Sequence, residues 1–274
     1  MAVRVMEDLS HAAERVRLST VEVDGGRGGG SGVIWSPDGR VVTNAHVARR
    51  GSGRIRLSDG RSVRAAVTAR DPQLDLALLQ ADARDLPAAD IGDSNALRVG
   101  ELVLAVGSPY GQAGAVTLGI VHAGNSRAWV EADLRLAPGN SGGPLANAEG
   151  RVVGINTMVA RGLALAIPSN VVEAFVRRGG RPARRLGVTV EPVNTPELGL
   201  LIVEVEPGSV ADVSGLQVGD VLTGCEGRPF QAPFDLAHIL AAGGSELRLD
   251  LLRGGRPASC RAEFEPSTVG TAAD

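Results

Sequence analysis

The sequence predicts a mainly β protein, built as two β-barrels followed by a smaller β module. Three observations lead there. Short apolar runs punctuated by turn signals recur from Val16 to Ile167, a spacing that suits a sandwich or barrel. These runs fall into two sets of similar size on either side of a polar bridge at 85–99. Glycine is abundant (37 of 274 residues) and aromatics make up only 3%, which fits many tight turns around cores of Val, Leu, Ile and Ala better than a helical bundle.

The chain opens on a weakly helical stretch at 5–17 with charges on one side, and β segments are expected from Val16. The Gly-rich 24–32 leads into Gly32-Val33-Ile34-Trp35. Ser36-Pro37-Asp38-Gly39 then reads as a hairpin turn before Val41-Val42-Thr43. Ser58-Asp59-Gly60-Arg61 is a second hairpin signal, between Arg54–Leu57 and Val63–Val67, and Asp75–Gln80 is a further apolar run. The second set comprises Leu102–Val106, Ala115–Val121, Trp129–Leu136, Leu145, Val152–Val159 and Leu163–Ile167. Pro168-Ser169-Asn170 caps a short helix, Val171–Arg178. The expected domains are 1–178, a linker at 179–185, a compact module at 186–266 with one helix near Phe234–Ala241, and a disordered tail at 267–274.

Composition excludes several functions. The net charge of −3 gives no global electrostatic case for nucleic acid. All 28 basic residues are Arg, which removes Ser-Lys dyads, Schiff-base lysines and the P-loop lysine; Gly25–Gly30 therefore reads as a surface loop and not a phosphate cradle. Cys225 and Cys260 and the four histidines have no zinc-site spacing, so no metal or cofactor is expected. Two buried free thiols are favoured over a disulfide. No run is long enough to span a membrane, and the N-terminus has no apolar export segment.

Gly139-Asn140-Ser141-Gly142-Gly143-Pro144-Leu145 carries the most chemistry. A serine hydroxyl is a poor nucleophile until a base takes its proton. Glycines around it let backbone N–H groups converge on a developing oxyanion. The base candidate is His46 in Thr43-Asn44-Ala45-His46-Val47, and the orienting acid is Asp75 in Asp75-Leu76-Ala77-Leu78-Leu79. The order His, Asp, Ser is that of chymotrypsin-like proteases. Each residue has a plainer reading: a hairpin serine, a buried hydrogen-bonded histidine, a turn aspartate. The company of the three favours the catalytic one. Asp71 precedes Pro72 and reads as a turn residue, and His122 and His238 read as structural or surface groups.

These motifs resemble the HtrA family, a trypsin-like protease followed by PDZ domains. Gly30-Ser31-Gly32-Val33-Ile34 matches its opening strand, Gly107–Gly111 and Thr117–Val121 its segment ahead of the serine, and Ala166–Asn170 its closing strand. Arg185-Leu186-Gly187-Val188 resembles the PDZ carboxylate-binding loop, and Ser214–Leu222 a further PDZ segment. The resemblance implies a chymotrypsin-like double β-barrel with one PDZ domain. It implies an ATP-independent endopeptidase acting on unfolded or damaged proteins without a cofactor. Ser141 is the expected nucleophile, His46 the general base and then acid, and Asp75 the group that holds the imidazole tautomer. The N–H groups of Gly139 and Ser141 are the expected oxyanion hole, and Pro138 suits the turn before it. Asn140 stands where many trypsin-like zymogens carry Asp, so activation by a buried N-terminal ammonium is not expected.

Leu136, Ala164 and Leu165 are expected to line the primary pocket, favouring small aliphatic residues before the cut. Arg135 is expected to point to solvent; pointing inward, it would select acidic residues. Leu186, Gly187, Val188 and Val190 are expected to bind a ligand C-terminus by adding it to a sheet edge. The chain departs from the family in having only Gly124–Trp129 between strands where a long sensor loop is usual, and Ala137 in place of a common Asn. Homo-oligomers occur in the family, but the aromatics of its trimer contacts are missing from residues 1–34, which argues against the standard trimer. Two rival functions stay open: a latent protease scaffold whose PDZ domain docks partner C-termini, and a regulatory protease cutting one specific partner.

Overall fold

A computed structural model describes residues 2–24, 29–49, 51–122, 128–180, 184–194, 198–233, 235–242 and 244–264. The middle of the Gly-rich loop, most of Gly124–Trp129, part of the expected linker, Phe234 and the expected tail lie outside them. The chain divides into two compact units, Met1–Pro182 and Ala183–Asp274.

In the first unit, β1 (Thr20–Asp24), β2 (Gly29–Ile34), β3 (Arg40–Thr43), β4 (Ser52–Arg56), β5 (Ser62–Asp71) and β6 (Leu76–Ala81) close a barrel in the order β1-β2-β3-β6-β5-β4. A second barrel is made by β7 (Leu102–Gly107), β8 (Ala115–Val121), β9 (Val130–Asp133), β10 (Pro144–Asn147), β11 (Val152–Ala160) and β12 (Leu163–Pro168), in the order β10-β11-β12-β9-β8-β7. Strand alternation sends Val21, Val23, Ile34, Val41, Ile55 and Leu79 into the first core, and Val103, Ala105, Val130, Ala132, Leu145 and Val153 into the second. Fully burying a Val or Leu side chain contributes roughly 1.5–3 kcal/mol, so aliphatic residues alone build both cores.

The N-terminal helix α1 (Ala2–Leu18) is longer than expected, and Val16 belongs to it and not to a strand. Ala12 and Val16 lie four apart on one helix face and pack on Leu104, Val106 and Ala146 of the second barrel, so tertiary burial carries the helix past its weak sequence signal. The run Trp129–Leu136 forms a ladder only at Val130–Asp133. Leu134–Leu136 leave it and lead toward the serine loop. Helix α2 (Ser169–Arg177) closes the unit, burying Val171, Val172 and Phe175.

The second unit is an antiparallel sheet of β13 (Val188–Asn194), β14 (Leu198–Val205), β15 (Val221–Cys225), β16 (Arg228–Pro229), β17 (Glu246–Arg253) and β18 (Arg256–Glu263). Its path runs β13-β14-β15-β17-β18, which leaves β13 at an edge, and β16 pairs β15. It holds α4 (Asp235–Ala242) and a one-turn helix, α3 (Val210–Val213), that the sequence reading passed over. Ser209 caps α3 by accepting the Asp212 N–H at 3.3 Å. Neither Cys225 nor Cys260 is in a disulfide, and both are buried.

Candidate active site

His46 lies in the turn after β3 and Asp75 in the turn before β6, and β3 and β6 are hydrogen-bonded neighbours with Thr43 opposite Ala77. The register therefore delivers base and acid to the same end of the first barrel. Asp75 adopts φ +53°, a left-handed conformation uncommon for a residue with a Cβ. The His46 loop secures it there: the Ala45 N–H and the Asn44 Nδ2 both donate to the Asp75 carbonyl at 3.0 Å. The Asp75 carboxylate faces the imidazole, with Oδ2 at 2.8 Å and Oδ1 at 3.1 Å from His46 Nδ1, and Oδ1 also accepts the His46 backbone N–H at 3.0 Å. Thr157 Oγ1 donates to Oδ2 at 2.6 Å. Burial pushes the Asp75 pKa up, but the hydrogen bonds from His46 and Thr157 outweigh it and hold the carboxyl below its ordinary value. The acid stays ionised, and Nδ1 is kept as the proton-bearing nitrogen. Asp75 is buried while the imidazole is 43% exposed, so the orienting half is dry and the reacting half open.

Ser141 lies in the tight loop before β10. Gly139 takes φ +107°, and an added Cβ would run into the Ser108 carbonyl, so only glycine fits. The loop is tied down through its carbonyls. The Tyr110 N–H donates to Pro138 O at 3.2 Å, Ser31 Oγ to Gly139 O at 2.7 Å, and the Ser31 N–H to Ser141 O at 2.8 Å. The hydroxyl of Ser141 donates to the Thr157 carbonyl at 3.0 Å. Thr157 thus touches both ends of the site: its carbonyl accepts the hydrogen bond of the serine hydroxyl and its own hydroxyl donates to the aspartate. Asp75 is within hydrogen-bond reach of His46, and Thr157 bridges Asp75 on one side and Ser141 on the other.

The trypsin-like peptidase domain family matches residues 30–155, and the PDZ domain family matches residues 201–253. A protein named probable periplasmic serine endoprotease DegP-like, from Pseudomonas putida (strain W619), is 38% identical over 256 residues, covering 83% of this chain and 53% of that protein. Its namesake from Pseudomonas savastanoi pv. phaseolicola is 39% identical over 257 residues, with the same coverage. The solved serine endoprotease from Yersinia pestis is 29% identical with a TM-score of 0.66, covering 93% of this chain and 96% of its own. The HtrA-type protease AlgW, solved with a tripeptide, is 29% identical with a TM-score of 0.65 and the same coverage. The chain belongs to the HtrA family. It spans about half the length of the curated relatives it matches.

Within this HtrA-family chain the remaining expected residues have definite places. Ala164 lies in the core of the second barrel, Leu136 packs half-buried against that core, and Leu165 is buried opposite Met158 and Glu131 with the other strand parity. Arg135 is exposed, in the segment that follows β9. Asp71 accepts the Gln73 and Leu74 N–H groups at 3.0 and 3.1 Å, so it is a turn residue. His122 is exposed and His238 fully buried in α4. In the second unit Leu186 is buried, and its carbonyl accepts the Ala211 N–H at 2.8 Å. Gly187 takes φ +85°, with its carbonyl accepting the Glu206 N–H at 2.9 Å. Val188 and Val190 are half-buried on the edge strand β13, which has a register shift between Thr189 and Val190. Sequence reasoning missed Thr157 and assigned no role to the Ser31 hydroxyl. Both signals were faint, Thr157 within an apolar strand run and Ser31 among glycines, and their partners lie far away along the chain. Among the described residues no cluster of side chains suits a metal, and no helix is long and apolar enough to cross a membrane.

Proposed function

We propose that this chain is a serine endopeptidase that hydrolyses peptide bonds in unfolded or damaged polypeptides through an acyl-enzyme. The observation that carries the reading is the carboxylate of Asp75 within hydrogen-bond reach of His46 Nδ1, joined through Thr157 to the hydroxyl of Ser141. On substrate arrival the Ser141 hydroxyl turns from the Thr157 carbonyl toward Nε2 of His46, which takes its proton as the oxygen attacks the scissile carbonyl. Asp75 stabilises the imidazolium without itself being protonated, and His46 then protonates the leaving amine. The Gly139 and Ser141 N–H groups face the oxyanion; losing one such donor typically costs about 2.7–4 kcal/mol. Of the expected pocket residues Leu136, Ala164 and Leu165, the last two point to opposite faces of β12, so the half-buried Leu136 is the apolar contact proposed to suit Val or Ala before the cut. The edge strand β13, entered through Leu186 and Gly187, takes a peptide C-terminus by strand addition.

A second reading, a latent scaffold whose C-terminal unit alone binds partners, is favoured by one observation: the serine hydroxyl donates to the Thr157 carbonyl and not to His46. Digestion of unfolded casein by the wild type and by Ser141→Ala separates the two. The endopeptidase reading expects cleavage by the wild type only, with Val and Ala enriched before the mapped cuts. Removing such a nucleophile lowers kcat by about 10⁶-fold. Intact casein with both proteins leaves the scaffold reading standing, and cuts after Glu or Asp overturn the aliphatic pocket.

A further inference from the structure

We propose that Ser31 is a positioning residue for the oxyanion hole, its side-chain hydroxyl locking the Gly139 peptide in the orientation that presents the loop's N–H groups to substrate. The proposal rests on the endopeptidase reading of the same site. Ser31 is fully buried in β2, on the opposite barrel from the serine loop. Its Oγ accepts the Ser108 N–H at 2.9 Å and donates to the Gly139 carbonyl at 2.7 Å. Its backbone N–H donates to the Ser141 carbonyl at 2.8 Å, and its own carbonyl accepts Thr43 Oγ1 at 2.6 Å. One residue therefore grips the carbonyls of both the oxyanion glycine and the nucleophile, from a strand that adjoins the one leading to His46.

The chemistry is specific to a hydroxyl. The Ser108 N–H occupies an acceptor position of Oγ, so the single O–H is directed at Gly139 O, and a small side chain that both accepts and donates is required. The surroundings leave no room for more. A Cβ at Gly107 would sit 3.0 Å from Ser31 Oγ, and one at Gly143 3.0 Å from Ser31 Cβ. Gly139, at φ +107°, holds a conformation that favours glycine, and turning the peptides on either side of it is the simplest way to lose the hole. Tyr110 N–H restrains the peptide before it, and Ser31 Oγ restrains the peptide after it.

The test is Ser31→Ala in the full chain, assayed on an aliphatic peptide substrate and with a peptidyl boronate as a tetrahedral-anion probe. Expected is a fall in kcat of about 10- to 100-fold, below the 10²–10³ for outright loss of a donor. KM should stay within about 2-fold, as for an interaction made only in the transition state. Boronate affinity should drop in step with kcat. An unchanged kcat overturns the proposal. So does a kcat loss that comes with an equal rise in KM, a lowered Tm and an unaltered boronate affinity, which marks a merely structural serine. Ser31→Cys is slightly larger and only a weak donor; if the alanine variant does not fold, a cysteine variant with lowered kcat and unchanged KM supports the proposal and one with wild-type kcat overturns it. A wild type that neither cleaves nor binds the boronate removes the endopeptidase reading and this proposal with it, an outcome distinct from an active wild type matched by an active Ser31→Ala.

Discussion

The two compact units bury polar groups differently. In the first, buried Ser31, Thr43, Asn44, Asp75 and Thr157 are linked by hydrogen bonds around Asp75 and the Ser141 loop, while Ser19, Thr20, Ser94 and Ser169 are buried elsewhere. Among the described residues of the second, the buried polar ones are Asp220 and, on α4, Asp235 and His238. Asp220 is held by a two-point ion pair with Arg253, at 2.8 and 2.7 Å, and also accepts the Gln217 N–H at 2.9 Å. Burying a polar group without a partner is expensive, so a concentrated set of paired ones marks a place where orientation outweighs plain hydrophobic packing. On the proposed reading the first unit holds the reaction site. The second is organised around its own sheet, with β13 left at the edge. The contrast predicts that substitutions in the first polar cluster remove chemistry first, whereas those in the second unit act on stability or peptide binding.

Asp75→Asn is the strongest way to break this contrast. The amide keeps the shape but favours the wrong imidazole tautomer, and the analogous change in a Ser-His-Asp protease lowers kcat about 10⁴-fold. The same variant reports on stability. The folded pKa of Asp75 lies below its unfolded value, so its contribution is fully present above the unfolded value of about 3.9 and is lost as pH falls through the folded one. Tm measured from pH 7 down to 3 should show the gap between wild type and Asp75→Asn narrowing below about pH 4. A constant gap would mean that the carboxylate charge has no role in folding, and a kcat within 10-fold of wild type would remove Asp75 from the mechanism.

Thr157→Val comes next. It keeps the volume and removes the hydroxyl that Asp75 Oδ2 accepts at 2.6 Å. A hydrogen bond to a charged group contributes about 1.5–3 kcal/mol, so kcat should fall by roughly 10- to 150-fold if all of it serves the orientation of Asp75. The Thr157 hydroxyl lowers the Asp75 pKa, so its loss should move the acid limb of the Tm profile to higher pH. An unmoved acid limb would show that the His46 contact alone sets the carboxylate.

Thr157 also marks where the sequence stops being legible. His46, Asp75 and Ser141 could be nominated because each sits in a short local motif whose chemistry needs those neighbours. The barrel strands could be found because alternation of apolar residues is a local signal. Thr157 lies inside the apolar run Val152–Val159, and its part in the site follows from being carried, 82 residues on, to Asp75. Ser31 is in the same position, 108 residues from the carbonyl it holds. The left-handed turn at Asp75 could not be read either, since nothing local demands it and the His46 loop imposes it. The length of α1 was misjudged for the same reason: its apolar face is completed by Leu104 and Val106.

The smallest effect belongs to the second unit. Cys225 on β15 and Cys260 on β18 both pair with Leu249 of β17, so they share a sheet face with Leu249 between them. Neighbouring strands lie about 4.8 Å apart, which separates the two cysteines by roughly 10 Å. A disulfide needs Cα atoms within about 7 Å, so the sheet would have to lose a strand to make one. Cys260 is further engaged, its thiol donating to the Ser214 carbonyl at 3.1 Å, and burial pushes its pKa up, which lowers its reactivity. A thiol assay under denaturing, non-reducing conditions should therefore count both cysteines as free, and reductant should shift the Tm by less than about 1 °C, since no covalent link is present to constrain the unfolded chain. An oxidised pair would require β17 to leave its place between the two strands, and the description of the second unit as one continuous sheet would fall with it.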